Sequence, residues 1–174
     1  MPFSAEYDVV VVGGGHAGIE AAHAAYRLGV KTALLTMSIE AIGRMSCNPA
    51  VGGVAKGQIV RDIDALGGLM GKLTDKAGIQ FRMLNKSKGP AVWGPRAQCD
   101  MDFYSKCARE TLESFSGLDL LEGELASFSP FLQKTEILLA DGRKFLTKAL
   151  IITSGTFLAS KMYTGLLESV GGRV

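Results

Sequence analysis

The sequence predicts an α/β fold built on a Rossmann-like, doubly wound parallel sheet. Residues 7–12 read YDVVVV, a β-branched run without alternation that is typical of a strand buried on both faces. Three glycines, Gly13, Gly14 and Gly15, follow at once, and residues 16–28 form an Ala-rich helical pattern. Residues 31–36, KTALLT, then give a second apolar strand. Strand, tight turn, helix and strand in this order predict one βαβ unit of such a sheet.

The second half of the chain predicts an amphipathic helix and the remaining strands. Residues 102–115, DFYSKCARETLESF, have helical periodicity, and Asp100 or Asp102 is the expected N-cap. The predicted apolar side carries Phe103, Cys107, Thr111, Leu112 and Phe115.

A β-meander crossover is predicted between two parallel strands. Residues 118–121 read as a third parallel strand, and residues 149–153, ALIIT, as a further buried strand. Between them, residues 128–147 predict an antiparallel hairpin that turns at Asp141-Gly142.

Residues 37–99 differ from both flanks and predict a loop-rich active-site insertion. They are rich in Gly, Lys and Arg, and loops interrupt short helical patterns such as residues 58–66. Residues 72–109 contain eight Lys and Arg against three Asp, a local charge of +5, whereas the whole chain carries only +2. The segregation of positive charge onto this segment predicts a site for an anionic partner.

Composition excludes several functional classes. With 174 residues, 47% hydrophobic and 21% charged, the chain is expected to form one globular domain. There is no signal-peptide pattern and no apolar run of roughly 20 residues, so we expect a cytoplasmic protein without a membrane segment. Three cysteines without a CxxC pair and two isolated histidines favour neither disulfides nor a metal site.

The glycines of the first turn match the dinucleotide-binding fingerprint G-x-G-x-x-G. Gly13 permits the tight turn, Gly15 allows the backbone to approach a pyrophosphate, and Gly18 allows close packing of helix on strand. The phosphates would then bind the free N–H groups at the helix N-terminus. A neutral His16 ring is expected to cap such N–H groups rather than to act in catalysis.

The expected ribose-binding carboxylate is missing from the end of the second strand. Thr36 occupies that position, and a hydroxyl is a poorer acceptor than a carboxylate. Glu40 lies past the strand end, where a role as a surface or capping residue is favoured over a ribose contact.

Two segments of the insertion carry chemically informative residues. Residues 46–57, SCNPAVGGVAKG, combine Cys47, the turn at Asn48-Pro49, a glycine pair and Lys56, which together predict a cradle for an anion or a flavin ring. Residues 80–98, QFRMLNKSKGPAVWGPRAQ, mix basic and aromatic side chains.

Five sequence blocks resemble the N-terminal part of the MnmG (GidA) family of tRNA-modifying flavoproteins. They are GGGHAG at 13–18, SCNPAVGGVAKG at 46–57, DALGGLMGK at 64–72, GIQFRMLNKSKGPAVWGPRAQ at 78–98 and TSGTFL at 153–158. The resemblance runs along nearly the whole chain. It departs at Met101, where we expect a basic residue, which places any anion contact at position 101 in doubt.

The resemblance implies an FAD enzyme that, with the GTPase MnmE, adds a carboxymethylaminomethyl-type group at C5 of the wobble uridine, position 34, of tRNAs. It further implies NADH as the reductant, methylene-tetrahydrofolate as the carbon donor, and a homodimer. The nicotinamide-binding insertion and the helical C-terminal domain of the family are absent from the sequence. We therefore expect residues 1–174 to be the N-terminal part of the FAD-binding domain of a longer protein, inactive on its own.

The resemblance also assigns roles to individual residues. It implies a catalytic thiolate at Cys47, which would add to uridine C6 or act as an acid or base; the alternative is a small packing residue beneath the flavin. Cys99 and Cys107 lack such surroundings, and Cys107 is expected in the core. The predicted cofactor-binding residues are Gly13, Gly14, Gly15, His16, Ala17, Gly18, Thr36, Asn48, Gly52, Gly53, Lys56, Leu125 and Gly155.

A second group is predicted to contact substrate or another anion. Each basic member has an alternative as a solvated surface charge, and the tryptophan has an alternative in simple packing. The group consists of Arg82, Lys86, Lys88, Trp93 and Arg96.

Three alternative functions remain open at this stage. A generic FAD/NAD(P)H-dependent oxidoreductase would share the fingerprint but has no need of the cysteine loop or the basic segment. The sibling folate-dependent tRNA uridine methyltransferase has a similar start with a different cysteine loop. A non-enzymatic dinucleotide-binding module would need no reactive thiol.

Overall fold

The centre of the molecule is a six-stranded sheet. Its strands lie in the order β6 (Leu118–Glu122), β2 (Thr32–Thr36), β1 (Ala5–Val12), β9 (Lys144–Ile152), β8 (Lys134–Leu139) and β7 (Leu125–Phe131). The computed structural model describes residues 3–156, 158 and 160–170. Four strands are parallel: β1 (Ala5–Val12), β2 (Thr32–Thr36), β6 (Leu118–Glu122) and β9 (Lys144–Ile152). The predicted parallel sheet is confirmed. Phe157, within the TSGTFL block, lies outside the described residues.

The antiparallel part of the sheet is a three-stranded meander. Strands β7 (Leu125–Phe131) and β8 (Lys134–Leu139) pair with each other, and β8 pairs with β9. The turn at Asp141-Gly142 is confirmed, because the Gly142 N–H donates to the carbonyl of Leu139 at 3.0 Å. The hairpin prediction missed the second turn after Phe131. It also assigned residues 144–147 to the hairpin and residues 149–153 to a separate strand. In the structure, residues 144–152 form the single strand β9, which pairs with β8 at one end and with β1 along its length.

Two helices cover one face of the parallel sheet. Helix α1 (His16–Arg27) follows β1, and helix α4 (Met101–Glu113) precedes β6. Asp100 caps α4 by accepting a hydrogen bond from the Phe103 N–H at 2.8 Å. The predicted apolar side of α4 was partly wrong: Phe103 is 46% exposed, whereas Tyr104 is 1% exposed and lies in the core beside Cys107.

On the opposite face of the parallel strands, side chains of β1 and β2 pack against side chains of the meander. Val10 and Leu35 point to this side and lie in a cluster with Ile137, Leu139 and Phe145. The neighbouring residue Val11 belongs to the helical side, as alternation along a strand requires.

The insertion is more ordered than the predicted loops. Strands β3 (Ala50–Gly52), β4 (Gly78–Leu84) and β5 (Gly94–Cys99) form an antiparallel sheet in the order β3-β5-β4. Helices α2 (Lys56–Ala65) and α3 (Met70–Ala77) accompany it. Residues 79–83, IQFRM, and residues 95–99, PRAQC, alternate between apolar and polar side chains as a half-exposed strand does, and the sequence prediction overlooked this signal. Beyond β9, β10 (Lys161–Thr164) and β11 (Leu167–Val170) form a separate antiparallel pair.

A carboxylate joins the insertion to the first βαβ unit. Glu20 of α1 accepts hydrogen bonds from the N–H groups of Leu69 at 3.0 Å and of Met70 at 2.6 Å, and thereby caps α3. Within the described ranges, no helix is both long and apolar enough to cross a bilayer. No cluster of metal-ligating side chains occurs in the same ranges.

Candidate dinucleotide and anion site

The first turn has the geometry that a pyrophosphate-binding turn requires. Gly13 has φ +112°, a conformation that favours glycine, and a Cβ on Gly18 would overlap the Gly13 carbonyl oxygen. A Cβ on Gly15 would meet nothing within 4 Å. The space in front of Gly15 is therefore open on the side where α1 begins.

The N-terminus of α1 presents free backbone donors at this opening. Gly15 is the N-cap residue, and no side chain of the described residues caps the helix. No acidic residue occupies the first turn, and Ala17 is exposed. Uncapped N–H groups and the positive end of the helix dipole make this an anion-binding position.

Thr153, which the sequence argument did not single out, fixes the turn from the neighbouring strand. Its hydroxyl donates to the Val12 carbonyl at 2.8 Å and lies 3.2 Å from that of Gly13, and its backbone N–H also donates to Val12. A Cβ on Gly13 would overlap the Thr153 backbone. The end of β9 thus holds the glycine turn in one conformation.

His16 does not cap the helix, contrary to expectation. Its Nδ1 is buried without a hydrogen-bond partner, and the ring lies edge-on to Tyr104 at 5.5 Å between centroids. Burial lowers the pKa of His16, so the ring is neutral, as predicted. A buried polar nitrogen without a partner is a feature that a bound ligand can satisfy.

The remaining predicted cofactor residues lie near the carboxyl ends of β2, β6 and β9. Thr36 ends β2, is buried, and donates its hydroxyl to the Ser38 carbonyl at 3.2 Å. Glu40 forms an ion pair with Arg109, in agreement with the favoured surface role. Leu125 begins β7, and Gly155, with φ +61°, follows β9.

A cavity of about 580 Å³ lies between the start of α1 and the insertion. Apolar side chains such as Ile59 and Met70 form part of its wall. Six predicted site residues also line it: His16, Asn48, Gly52, Gly53, Lys56 and Arg96. The fold therefore brings His16, at the start of α1, and the cysteine loop together on one cavity. The fingerprint glycines and Cys47 are not among the residues that line it.

The cysteine loop has an unusual backbone. Asn48, Gly52, Gly53 and Ala55 all have positive φ, and Ala55 at +62° is in the left-handed region without the freedom of glycine. The Gly53 N–H donates to the Pro95 carbonyl at 2.7 Å, which ties this loop to β5. Cys47 is exposed in this loop, one residue before the cavity-lining Asn48. Cys99 and Cys107 are buried.

The predicted anion-binding residues separate into two groups. Arg82 and Arg96 face each other on β4 and β5. Lys86 and Lys88 lie in a 3₁₀ turn after β4, and the Trp93 indole N–H lies 3.3 Å from the Lys86 carbonyl. Lys86, Lys88 and Trp93 do not line the 580 Å³ cavity.

Ion pairing divides the cations of the described ranges by region. Every Lys and Arg between residues 106 and 161 lies within 4.0 Å of a carboxylate: Lys106, Arg109, Lys134, Arg143, Lys144, Lys148 and Lys161. Those between residues 44 and 96, here called the basic set, form no such pair with a described residue. The basic set comprises Arg44, Lys56, Arg61, Lys72, Lys76, Arg82, Lys86, Lys88 and Arg96.

A parallel sheet whose first turn opens onto an uncapped helix N-terminus defines a Rossmann-type dinucleotide-binding domain. Solved structures agree with this class. GidA of Aquifex aeolicus in its form I crystal is 48% identical, with a TM-score of 0.91 over 97% of this chain and 28% of that chain. The GidA-related protein of Thermus thermophilus, at 18% identity and TM-score 0.62 over 93% of this chain and 59% of that one, shares the fold.

The chain belongs to the family described as glucose inhibited division protein A, whose model matches residues 8–174. Similar curated relatives are named tRNA uridine 5-carboxymethylaminomethyl modification enzyme MnmG. That of Salinibacter ruber is 49% identical over 97% of this chain and 26% of its own length; that of Phocaeicola vulgatus is 51% identical over 97% and 27%. The chain thus spans about a quarter of the length of these relatives.

Proposed function

We propose that this chain is the FAD-binding N-terminal part of an enzyme that, with the GTPase MnmE, adds a carboxymethylaminomethyl-type group at C5 of the tRNA wobble uridine. The observation that carries the proposal is the cavity on which His16, at the start of α1, and the cysteine loop meet, in a chain of this family. The names of the relatives support the reaction. NADH as reductant, methylene-tetrahydrofolate as carbon donor, a homodimer and a cytoplasmic location complete the proposal.

The residues of the first turn fit FAD. Open space at Gly15, uncapped N–H groups at the start of α1 and the partnerless Nδ1 of His16 are the features that a pyrophosphate and its attached groups would occupy. When bound, the flavin would supply two-electron redox chemistry. Thr36 retains acceptor lone pairs for a ribose hydroxyl, since its own proton is given to Ser38.

The cysteine loop is assigned to the other end of the cofactor. Gly52 and Gly53 expose backbone in the cavity wall, and Lys56 adds a positive charge there. Such a surface stabilises an anion or an electron-rich ring.

Cys47 is assigned the role of catalytic thiol. Its exposure allows substrate to reach Sγ, in contrast to the buried Cys99 and Cys107. As a thiolate it would form a bond to C6 of the uridine and make C5 nucleophilic towards the incoming one-carbon unit. Loss of the C5 proton to a base, with breakage of the C6–S bond and release of the thiolate, would then restore the ring; the alternative role is proton transfer.

Replacement of Cys47 by Ser in the full-length protein tests this role. The variant should keep its flavin spectrum and lose wobble-uridine modification, measured as modified nucleosides in digested tRNA. Ser46→Ala, at the adjacent exposed position, is the matched control and should retain modification. Unchanged modification in Cys47→Ser would remove the thiol from the mechanism.

Replacement of Gly15 by Ala tests the cofactor position. The added Cβ has free space in the protein and ordinary backbone angles, with φ −75°, so the fold should persist. The same Cβ would intrude on the pyrophosphate, so the purified variant should contain little FAD. Retained FAD together with an unchanged circular dichroism spectrum would contradict the placement.

A further inference from the structure

Arg82 and Arg96 occupy directly opposite positions in the antiparallel pair β4–β5. Directly opposite residues in such a pair have Cβ atoms roughly 4.5–5.5 Å apart, and like charges there are destabilising. Neither guanidinium has a carboxylate partner among the described residues. Within the described residues, no carboxylate therefore offsets the repulsion between the two guanidinium groups.

The surroundings of the two arginines are polar and open. Gln80 and Gln98 form the next opposite pair along the same face, and all four side chains are exposed. Together with Leu84 they line a depression of about 140 Å³. The other face of the same strands carries the apolar residues Phe81, Met83, Pro95 and Ala97. They line a second cavity towards α2, which Arg61, Asp75, Arg82 and Arg96 also border.

Two planar guanidinium groups side by side suit an oxyanion with two free oxygens. Each group presents donors in a rigid fork that matches a phosphate or a carboxylate. A small carboxylate would neutralise only one of these positive charges. The basic set, however, supplies nine cations without carboxylate partners along one segment of the described chain. Charge of this extent is complementary to a polyanion.

We propose that Arg82 and Arg96 together grip one backbone phosphodiester of the tRNA substrate, with Gln80 and Gln98 as hydrogen-bonding neighbours. This assignment rests on the proposed function. Arg96 also lines the 580 Å³ cavity that contains His16 and Lys56. A phosphate bound at the arginine pair therefore positions the adjacent nucleotide at the mouth of that cavity, and the two arginines are positioning residues.

The test measures tRNA affinity of the full-length protein at several salt concentrations. Arg82→Gln, Arg96→Gln and the double variant should each weaken binding about tenfold, and each should reduce the slope of log Kd against log salt by about 1. The double variant should lose no more than the stronger single variant, because both arginines grip the same phosphate. Arg96→Lys should keep the salt slope and lose part of the affinity, since charge remains and the fork is lost.

The matched control is Lys106→Gln, which removes one exposed charge from α4, outside the basic set. It should change Kd less than twofold, and all variants should retain FAD. Unchanged tRNA affinity in both arginine variants, additive losses in the double variant, or an equal loss in Lys106→Gln would each overturn the phosphate grip. So would a wild-type affinity abolished by millimolar acetate at constant ionic strength, which indicates a carboxylate site.

Failure of the proposed function has a different signature. A wild-type protein that binds no tRNA, or that modifies none, overturns the proposed function. A wild-type protein that modifies tRNA, and whose arginine variants bind it normally, overturns only the present inference.

Discussion

The central sheet and the insertion use their charges in opposite ways. In the sheet and its helices, the cations from Lys106 to Lys148 have carboxylate partners, and Tyr7 donates to Asp119. In the insertion, cations are left without partners within the described chain, and two of them face each other across β4 and β5. The first region pairs these side chains internally, whereas the insertion leaves its cations available. This contrast marks the insertion as a second place, besides the start of α1, where the molecule can bind an anion.

The largest expected effect of a substitution lies in the glycine turn. A Cβ in Gly18→Ala would overlap the Gly13 carbonyl, so we expect a loss of about 3 kcal/mol or more of unfolding free energy, measured by urea denaturation of the full-length protein. Gly89 in the insertion has φ +93° and ψ 163°, a backbone region that is almost restricted to glycine, but an added Cβ would meet nothing within 4 Å. Gly89→Ala should therefore cost less, about 1–3 kcal/mol. Equal costs would show that the first turn is not the more constrained region.

The contact between the two regions should have the next largest effect. Glu20→Ala leaves the N–H groups of Leu69 and Met70 without their acceptor, at an expected cost of about 2 kcal/mol. Hydrogen exchange should rise first at the start of α3. Glu113→Ala, whose carboxylate is exposed on α4, is the control and should cost far less. Unchanged exchange at Leu69 and Met70 would exclude the capping role.

A pH effect is expected at Tyr7 in the sheet region. Burial, followed by the hydrogen bond to Asp119, raises the pKa of Tyr7 from 10.0 to about 12. The folded state therefore holds this proton more tightly, and the stabilisation is complete below pH 10 and lost as the pH rises towards 12. Tyr7→Phe should lower the free energy of unfolding by about 1 kcal/mol at neutral pH. The free energy of unfolding of the variant should also depend less steeply on pH than that of the wild type across this same alkaline range. Identical pH profiles of wild type and variant would contradict the shifted phenol.

The smallest expected changes in the free energy of unfolding differ in sign between the sheet and the insertion. Lys144→Gln breaks the ion pair with Glu136, 2.9 Å apart, and should lower stability by about 0.5 kcal/mol. Arg96→Gln relieves repulsion from Arg82 and should raise stability by about 0.3 kcal/mol while weakening tRNA binding. Differential scanning calorimetry of both variants gives the comparison. A loss of stability in Arg96→Gln would show that the arginine pair serves the fold.

Local patterns predicted the parts of the molecule that depend on local geometry. The run of β1, the glycine turn, α1 and the Asp141-Gly142 turn were identified because each is determined by neighbouring residues. A cofactor site shared by the fingerprint and the cysteine loop followed from the family resemblance, and the structure brings His16, Asn48, Gly52, Gly53 and Lys56 to one cavity.

The features that were missed depend on partners distant in sequence. The Thr153 hydroxyl bonds to Val12, which is 141 positions away, and no local pattern marks such a contact. Glu20 reaches Met70 across 50 positions. Tyr104 was overlooked because Phe103 is the more apolar neighbour, and only the packing of α4 on the sheet decides which ring is buried.

Strand β9 has a consequence for biosynthesis. It pairs with β1 from Ala5↔Phe145 to Val12↔Ile152, and Thr153 then closes the turn at Gly13. A chain emerging from the ribosome therefore carries its glycine turn long before the strand that fixes it, because non-local parallel pairing must wait for both partners. We expect flavin capture by stalled nascent chains only after Thr153 has left the exit tunnel, and flavin fluorescence of chains stalled before and after that length would time the event.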